Sequence, residues 1–166
     1  MAESKHSISL SDTSALRNLQ HARVAIVCTE WNDKIVAEQI AGAERVLREH
    51  GADLTGIHVV PGSFELPFAC KHLYETTKGK ENAPEAIIAF GAVIRGGTPH
   101  FEYVCKAVTE GITQLNVTIP VPVIFGVLTL DTIEQAWERL GGAHGHKGEE
   151  AAITALKMIH FTRNNQ

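Results

Sequence analysis

The segment Arg95–His100, which reads RGGTPH, combines the residue types of an anion-binding loop with a histidine. Glycines let the backbone approach a ligand closely, and the first N–H groups of a helix that begins after such a loop bind anions. Thr98 would add a hydroxyl group. His100, in the first turn of that helix, has a side chain suited to general acid–base catalysis near neutral pH. The alternative is an ordinary strand-to-helix turn with a threonine cap and a solvent-exposed histidine.

A second group of residues, Trp31 together with the segment Pro61–Pro67 (PGSFELP), suits a planar ligand with polar edges. The Glu65 carboxylate can accept two hydrogen bonds from neighbouring N–H donors of a heterocycle. Trp31 directly follows the first apolar run and could stack on a flat ring. The alternatives are a Glu65 carboxylate that merely favours a helix N-terminus and a Trp31 side chain in the core or an interface.

Two cations, Arg139 and Lys147, bracket a glycine-rich bend and could bind a phosphate. The alternative is that Arg139 is a cation at the C-terminus of a helix and that Lys147 is a solvated surface residue. The segment His144–His146 within the bend has no third ligand at a zinc motif's spacing, so we expect no metal site. Phe125 lies inside a predicted strand, where core packing is the alternative to a role in binding.

Known nucleotide and hydrolase motifs are missing from the chain. No G-x-G-x-x-G follows the first apolar run and no G-x-x-x-x-G-K-[ST] occurs, which disfavours dinucleotide and P-loop nucleotide binding. The G-x-S-x-G elbow of α/β-hydrolases is also missing.

The elements that must position these residues follow from apolar runs that alternate with helical patterns. We predict strands near residues 24–28, 54–60, 86–94 and 122–128. We predict helices from about residue 33 to a C′ glycine at 51, then near 64–77, 99–116, 131–141 and 147–161, with Asp131 and Glu134 as a capping pair. This alternation is typical of a three-layer α/β/α sandwich with a four-stranded parallel, flavodoxin-like sheet. Ligands bind such folds at the carboxyl ends of the strands, where the candidate residues fall.

Composition restricts the class of protein further. The 166 residues, 44% hydrophobic and 20% charged, fit one folded domain, which we assign to residues 21–166, preceded by a flexible N-terminal arm, residues 1–20. A formal charge of −4 argues against nucleic-acid binding. No apolar run approaches the roughly 20 residues of a membrane span, and the N-terminus lacks the apolar region of a secretory signal. Three cysteines without C-x-x-C spacing favour a reducing, cytoplasmic location.

Taken together, the motifs resemble those of the 6,7-dimethyl-8-ribityllumazine synthase family, which is also the riboflavin synthase beta-chain family. Pro61–Pro67 is similar to the family signature P-G-[AS]-[FY]-E-[IL]-P, and Gly91–Val104 resembles its G-x-V-I-[RK]-G-x-T-x-H-[FY]-[DE]-Y-V block. The whole resemblance spans about residues 23–158. Its remaining segments are Pro122–Thr129, Glu134–Arg139, Lys147-Gly148 and Glu150–Ala152. There are two departures: His146 stands where the family commonly has Asn, and Pro99 replaces a small polar residue.

The resemblance implies a transferase of riboflavin biosynthesis that uses neither a metal nor an organic cofactor. It condenses 5-amino-6-(D-ribitylamino)uracil with 3,4-dihydroxy-2-butanone 4-phosphate, the penultimate step of the pathway. It also implies roles for individual residues. His100 would move protons; the phosphate would be bound by Gly97, Thr98, Arg139 and Lys147. The pyrimidine would be bound by Trp31, Ser63, Phe64, Glu65, Ala92, Val93, Ile94 and Phe125.

The resemblance further implies a homo-oligomer with active sites at subunit interfaces. Family members form pentamers, and in some of them twelve pentamers build an icosahedral capsid; the short bend at Gly141–Lys147 favours that sixty-subunit shell. An N-terminal strand, Ser7–Leu10, would add to a neighbour's sheet, and riboflavin synthase is an expected associate. Two alternatives are a flavodoxin-like module that binds flavin or a pyrimidine without catalysis and a purely structural shell protein.

Overall fold

A four-stranded parallel sheet forms the centre of the molecule. The computed structural model describes residues 12–14, 16 and 19–165. The strands are β1 (Arg23–Thr29), β2 (Asp53–Val60), β3 (Ala86–Ile94) and β4 (Val123–Leu130), and their order in the sheet is β2-β1-β3-β4. All neighbouring strands pair in parallel. Their carboxyl ends therefore lie at one edge, and β2 and β4 are the outermost strands of the sheet.

Helices cover both faces of this sheet, which confirms the three-layer α/β/α prediction. The helices are α1 (Asp33–Glu49), α2 (Leu66–Thr77), α3 (His100–Thr118), α4 (Glu134–Glu138) and α5 (Lys147–Asn164), with a 3₁₀ turn at Ser63–Glu65. One core cluster joins α1 and α5 to β1 and β3, and a second joins α2 and α3 to the opposite face. The two inner strands are apolar on both faces because each face is buried.

The chain around Asp131 differs from the sequence prediction. Helix α4 begins at Glu134 and ends at Glu138, so the predicted helix over residues 131–141 is wrong. Asp131 instead pairs with Arg95, and its N–H donates to Gln135 Oε1 at 2.8 Å, so Glu134 is not its capping partner. A hairpin of β5 (Leu140–Gly142) and β6 (Gly145–His146) follows, which the sequence did not predict.

Helix α5 is fixed to α1 by two close approaches that depend on glycine. A Cβ atom at Gly148 would lie 2.2 Å from the Gln39 carbonyl oxygen, and one at Gly42 would lie 2.2 Å from the His146 ring. His146 is buried and caps α5: its Nδ1 accepts the Glu149 N–H at 3.4 Å. Lys147 therefore lies between two residues that are both packed against α1.

The predicted N-terminal arm is described only in part, and Ser7–Leu10 lies outside the described residues. Within the described part, Leu19 is only 4% exposed and belongs to the α1–α5 core cluster, and Leu16 packs against that cluster. The residues just before β1 thus pack on the domain. Within the described ranges, no helix is long and apolar enough to cross a bilayer.

The ion pair at the amino end of β3 generates a prediction about acid stability. Burial raises the pKa of Glu85, but hydrogen bonds from Arg163 and from the Arg23 N–H more than offset this and lower it overall. A lowered pKa in the folded protein stabilises it at neutral pH, and this contribution is lost as the pH falls below the unfolded value of about 4.3. We expect Glu85→Gln to reduce the free energy of unfolding at pH 7 by about 1 kcal/mol and to flatten its decline at acid pH.

Urea unfolding at pH 7 and at acid pH measures both effects. Glu75→Gln is the matched control, because Glu75 forms its salt bridge with Lys71 on the exposed surface of α2. Equal pH dependence of Glu85→Gln and the wild type would contradict the prediction.

Candidate active site

The carboxyl ends of β1, β2 and β3 are joined into one continuous surface by hydrogen bonds. The Glu30 N–H donates to the Val60 carbonyl at 2.8 Å, which links β1 to β2. The Asn32 side-chain amide donates to the Ala92 carbonyl at 2.8 Å, which links β1 to β3. Asn32 was not identified from the sequence. The only available signal was an asparagine directly before a helix, a residue type that tolerates the left-handed backbone found here, with φ of 61°.

The turn after β2 fits against β3 because Gly91 has no side chain. A Cβ atom at Gly91 would lie 2.9 Å from Ser63 Oγ and 3.1 Å from Thr29 Cγ2. Ser63 is buried at this contact, and Ala92 beside it is buried as well. Val93 and Ile94 are half-buried at the end of β3. The packed floor of the site is therefore formed by β1, the β2 turn and β3.

Trp31 and Glu65 lie next to each other above this floor. A Cβ atom at Gly62 would lie 3.5 Å from Trp31 Cδ1 and 3.3 Å from Glu65 Oε2, so indole and carboxylate flank the same glycine. Trp31 is 72% exposed and Phe64 59% exposed. The core interpretation of Trp31 is therefore wrong, whereas an interface role stays open. An accessible aromatic face beside a carboxylate acceptor suits a flat ligand whose edge carries N–H groups.

The loop Gly96–Pro99, called the phosphate loop after its predicted ligand, lies between β3 and α3. Every residue of the loop is exposed, and so is His100. Helix α3 begins at His100, one residue later than predicted, and the His100 N–H lies 3.4 Å from Thr98 Oγ1. A helix of 19 residues directs its first N–H groups towards this loop. Exposed loop residues and a histidine in the first turn thus lie together, and anion binding at this position stays a prediction.

Arg95 joins the base of the loop to two neighbouring elements. Its Nε donates to Asp131 Oδ1 at 2.8 Å, and another guanidinium nitrogen donates to the Glu102 carboxylate. Its Cζ lies 4.2 Å from the centroid of the Phe101 ring. The hydrogen bond from Arg95 lowers the pKa of Glu102, so this carboxylate is ionised at neutral pH. The role of Arg95 was not recognised from the sequence, because both partners come from other elements.

Phe125, Arg139 and Lys147 form a separate group near β4. Phe125 is opposite Ala89 in the sheet, well before the end of β3 at Ile94. Phe125 is 42% exposed and lines, with Lys147, an open groove of about 810 Å³ beside β4. The structure of one chain thus brings Trp31, Glu65 and the loop Gly96–Pro99 to the strand ends, whereas Phe125 and Lys147 line the groove beside β4.

The two cations of this group are held by their own neighbours. Arg139 Nη1 donates to the Gln135 carbonyl at 3.0 Å, and Lys147 Nζ donates to Glu150 Oε2 at 2.7 Å. The backbone N–H of Lys147 donates to the Arg139 carbonyl at 2.8 Å, which ties the two residues to each other. In the part of the chain that the structure describes, no three histidine, cysteine or carboxylate side chains converge as metal ligands.

Comparison with known proteins identifies the family. Residues 21–163 match the model of the 6,7-dimethyl-8-ribityllumazine synthase family. A protein of that name from Porphyromonas gingivalis is 48% identical over 165 residues, which cover 98% of this chain and 99% of the relative. Its namesake from Parabacteroides distasonis is 44% identical over 164 residues, with 98% and 99% coverage. One from Streptomyces coelicolor is 46% identical over 144 residues, 86% of each chain.

Proposed function

This chain belongs to the 6,7-dimethyl-8-ribityllumazine synthase family, and we propose that it catalyses the reaction for which the family is named. The reaction condenses 5-amino-6-(D-ribitylamino)uracil with 3,4-dihydroxy-2-butanone 4-phosphate and is the penultimate step of riboflavin biosynthesis. One observation carries the proposal: the exposed Trp31 beside Glu65 and the open phosphate loop before His100 lie at the same edge of the sheet. A heterocycle site and an anion site beside a proton carrier are what this chemistry needs.

The pyrimidine is proposed to stack on Trp31, whose face is accessible. The Glu65 carboxylate would accept hydrogen bonds from N–H groups at the edge of the ring. Ser63, Phe64 and the strand end Ala92–Ile94 would bind the remaining edge and the ribityl chain.

The phosphate of the second substrate is proposed to lie against the N-terminus of α3. The Gly97 and Thr98 amides would bind it there, helped by the positive end of the helix dipole. Arg139 would add a bidentate contact and Lys147 a second positive charge. Phosphate leaves during the reaction, so these groups would also stabilise the departing anion.

The chemical steps require proton transfers, which we assign to His100. The aromatic amine attacks the ketone, water leaves to give an imine, phosphate is eliminated, and the ring closes with loss of a second water. An amine, a ketone and a good leaving group react without a metal or an organic cofactor, so orientation supplies much of the acceleration. His100, exposed beside the phosphate loop, would contribute the acid–base share.

The site is proposed to be shared between two subunits of a pentamer. Phe125 and Lys147 line the groove beside β4, and the backbone of Lys147 is hydrogen-bonded to that of Arg139. The strand ends of a neighbouring chain would meet these residues. The exposed apolar side chains Trp31, Phe64 and Phe125 support such a contact. The larger shell, the N-terminal strand addition and an association with riboflavin synthase are further parts of this proposal. The buried free thiols Cys28 and Cys70 support the cytoplasmic location.

The two alternatives differ from the proposal in what they bind and convert. A flavodoxin-like binding module would hold a flavin or a pyrimidine without turnover, and a purely structural shell protein would assemble without ligand affinity. Incubating the purified, assembled protein with both substrates and recording the absorbance of the lumazine product separates the three. The proposal requires product, and its absence from protein that binds the pyrimidine would favour the module.

His100→Ala tests the acid–base role. We expect kcat to fall about 10- to 100-fold, since orientation still favours the reaction, while pyrimidine affinity stays near normal. Steady-state kinetics and a pyrimidine titration measure the two quantities. An unchanged kcat, with chemistry shown to limit the rate, would refute the assignment.

Trp31→Ala tests stacking. We expect pyrimidine binding to weaken by about 1–2 kcal/mol, because an aromatic contact and buried area are lost. Trp31→Phe is the matched control and should bind almost normally. Equal affinity of the Ala variant and the wild type would assign Trp31 to an interface alone.

A mixed assembly tests whether two chains build each site. We expect Arg139→Ala to raise KM for the butanone phosphate. Arg139→Lys should raise KM less, because lysine keeps the positive charge but lacks the planar guanidinium that binds phosphate through two N–H groups. An assembly reconstituted from Arg139→Ala and His100→Ala chains should then be more active than either parent. Some interfaces would pair the intact His100 of one chain with the intact Arg139 of its neighbour. No recovery in verified mixed pentamers would place both residues in one chain's site.

A further inference from the structure

In the part of the chain that the structure describes, the two glycines of the phosphate loop have open space around them. Cβ atoms at Gly96 and Gly97 would meet nothing within 4 Å, and the whole loop is exposed. Glycine also brings the greatest backbone freedom of any residue, so an unsupported loop of this sequence would sample many conformations. Its geometry must therefore be fixed at its two ends.

Arg95 holds both ends of the loop. At the β3 end its backbone N–H donates to the Leu130 carbonyl of β4 at 2.8 Å. Its Nε binds Asp131, just beyond β4, at 2.8 Å. At the helix end its guanidinium binds Glu102 and stacks 4.2 Å from the Phe101 ring centroid, both in the first turn of α3. One side chain thus connects β3, β4 and α3 around the loop.

The charges at this cluster argue against Arg95 as a phosphate ligand. Its guanidinium already binds two carboxylates, from Glu102 and Asp131, and the three groups together carry a net charge of −1. A phosphate dianion that approached Arg95 would meet both carboxylates. The arrangement instead uses the rigid fork of arginine to join two acidic partners in a fixed geometry.

We propose that Arg95, with Asp131 and Glu102, is a positioning residue that fixes the Gly97 and Thr98 amides and the His100 side chain for the phosphate-bearing substrate. This inference rests on the proposed function. A loop that is ordered before binding loses less conformational entropy when the phosphate arrives. The effect should therefore concern the phosphate substrate and should spare the pyrimidine, whose floor is built from β1, the β2 turn and β3.

Two variants weaken the ion pair between Arg95 and Asp131, one by changing each partner. Arg95→Lys keeps the charge but loses the fork and the stacking, and Asp131→Asn keeps the size but loses the ion pair. Arg163→Lys is the matched control, because Arg163 binds Glu85 through two nitrogens at the amino end of β3, away from the loop. We expect both test variants to raise KM for the butanone phosphate about 5- to 20-fold, with KM for the pyrimidine within about twofold of the wild type.

The loop itself supplies a second readout. Amide hydrogen exchange over residues 96–101 of the assembled protein should be faster in Arg95→Lys and Asp131→Asn, with exchange in α1 unchanged. In the double variant, KM for the butanone phosphate should rise by less than the product of the two single fold-increases, because both substitutions remove the same ion pair.

Each outcome decides between the hypotheses. No turnover by the wild-type protein would contradict the proposed function, and the inference would fall with it. Wild-type turnover with an unchanged phosphate-substrate KM in both variants would overturn the inference alone, whatever the exchange result. Equal increases of both KM values, or the same effect in Arg163→Lys, would make Arg95 a general structural residue and would also overturn it.

Discussion

The hydrogen bond from the Asn32 side chain to the Ala92 carbonyl joins the ends of β1 and β3, and the candidate site depends on this junction. Asn32 adopts a left-handed backbone conformation, which ends β1 and starts α1 within a few residues. The preceding residue, Trp31, then stands above the sheet with its ring exposed instead of entering the core. Gly91 completes the junction, since its missing side chain admits Ser63 against β3. A binding floor that carries an exposed indole is the result.

Three kinds of support hold the proposed functional residues, and they differ in rigidity. The proposed pyrimidine side rests on buried strands and close packing, whereas the phosphate loop is exposed and is connected at both ends to Arg95. In the proposed reaction, an accessible loop would let the phosphate leave once its bond to the substrate is broken. Lys147 is held in a third way, between His146 and Gly148, which are packed against α1. The departure of His146 from the family's usual Asn is thus accommodated by a buried ring over Gly42.

The sequence was sufficient to predict the elements whose apolar patterns are strong. Strand β3 matches the predicted residues 86–94, and Gly51 has the positive φ of 65° expected of a C′ glycine. The region after β4 was not predictable in the same way. Asp131 looks like a helix cap in sequence, but a tertiary ion pair with Arg95 takes its carboxylate, and α4 starts later. Asn32 and Arg95 were missed because their partners, Ala92 and Asp131, are distant in sequence and meet only in the folded sheet.

The central claim is that one sheet edge binds a heterocycle at Trp31 and Glu65 and an anion at the N-terminus of α3. A crystal structure of the assembled protein with the pyrimidine substrate and inorganic phosphate tests it most directly. The account predicts the ring stacked on the indole with an N–H edge at the Glu65 carboxylate, and phosphate within hydrogen-bonding distance of the Gly97 and Thr98 amides. A pyrimidine bound away from Trp31, or phosphate bound only in the β4 groove beside Lys147, would contradict it.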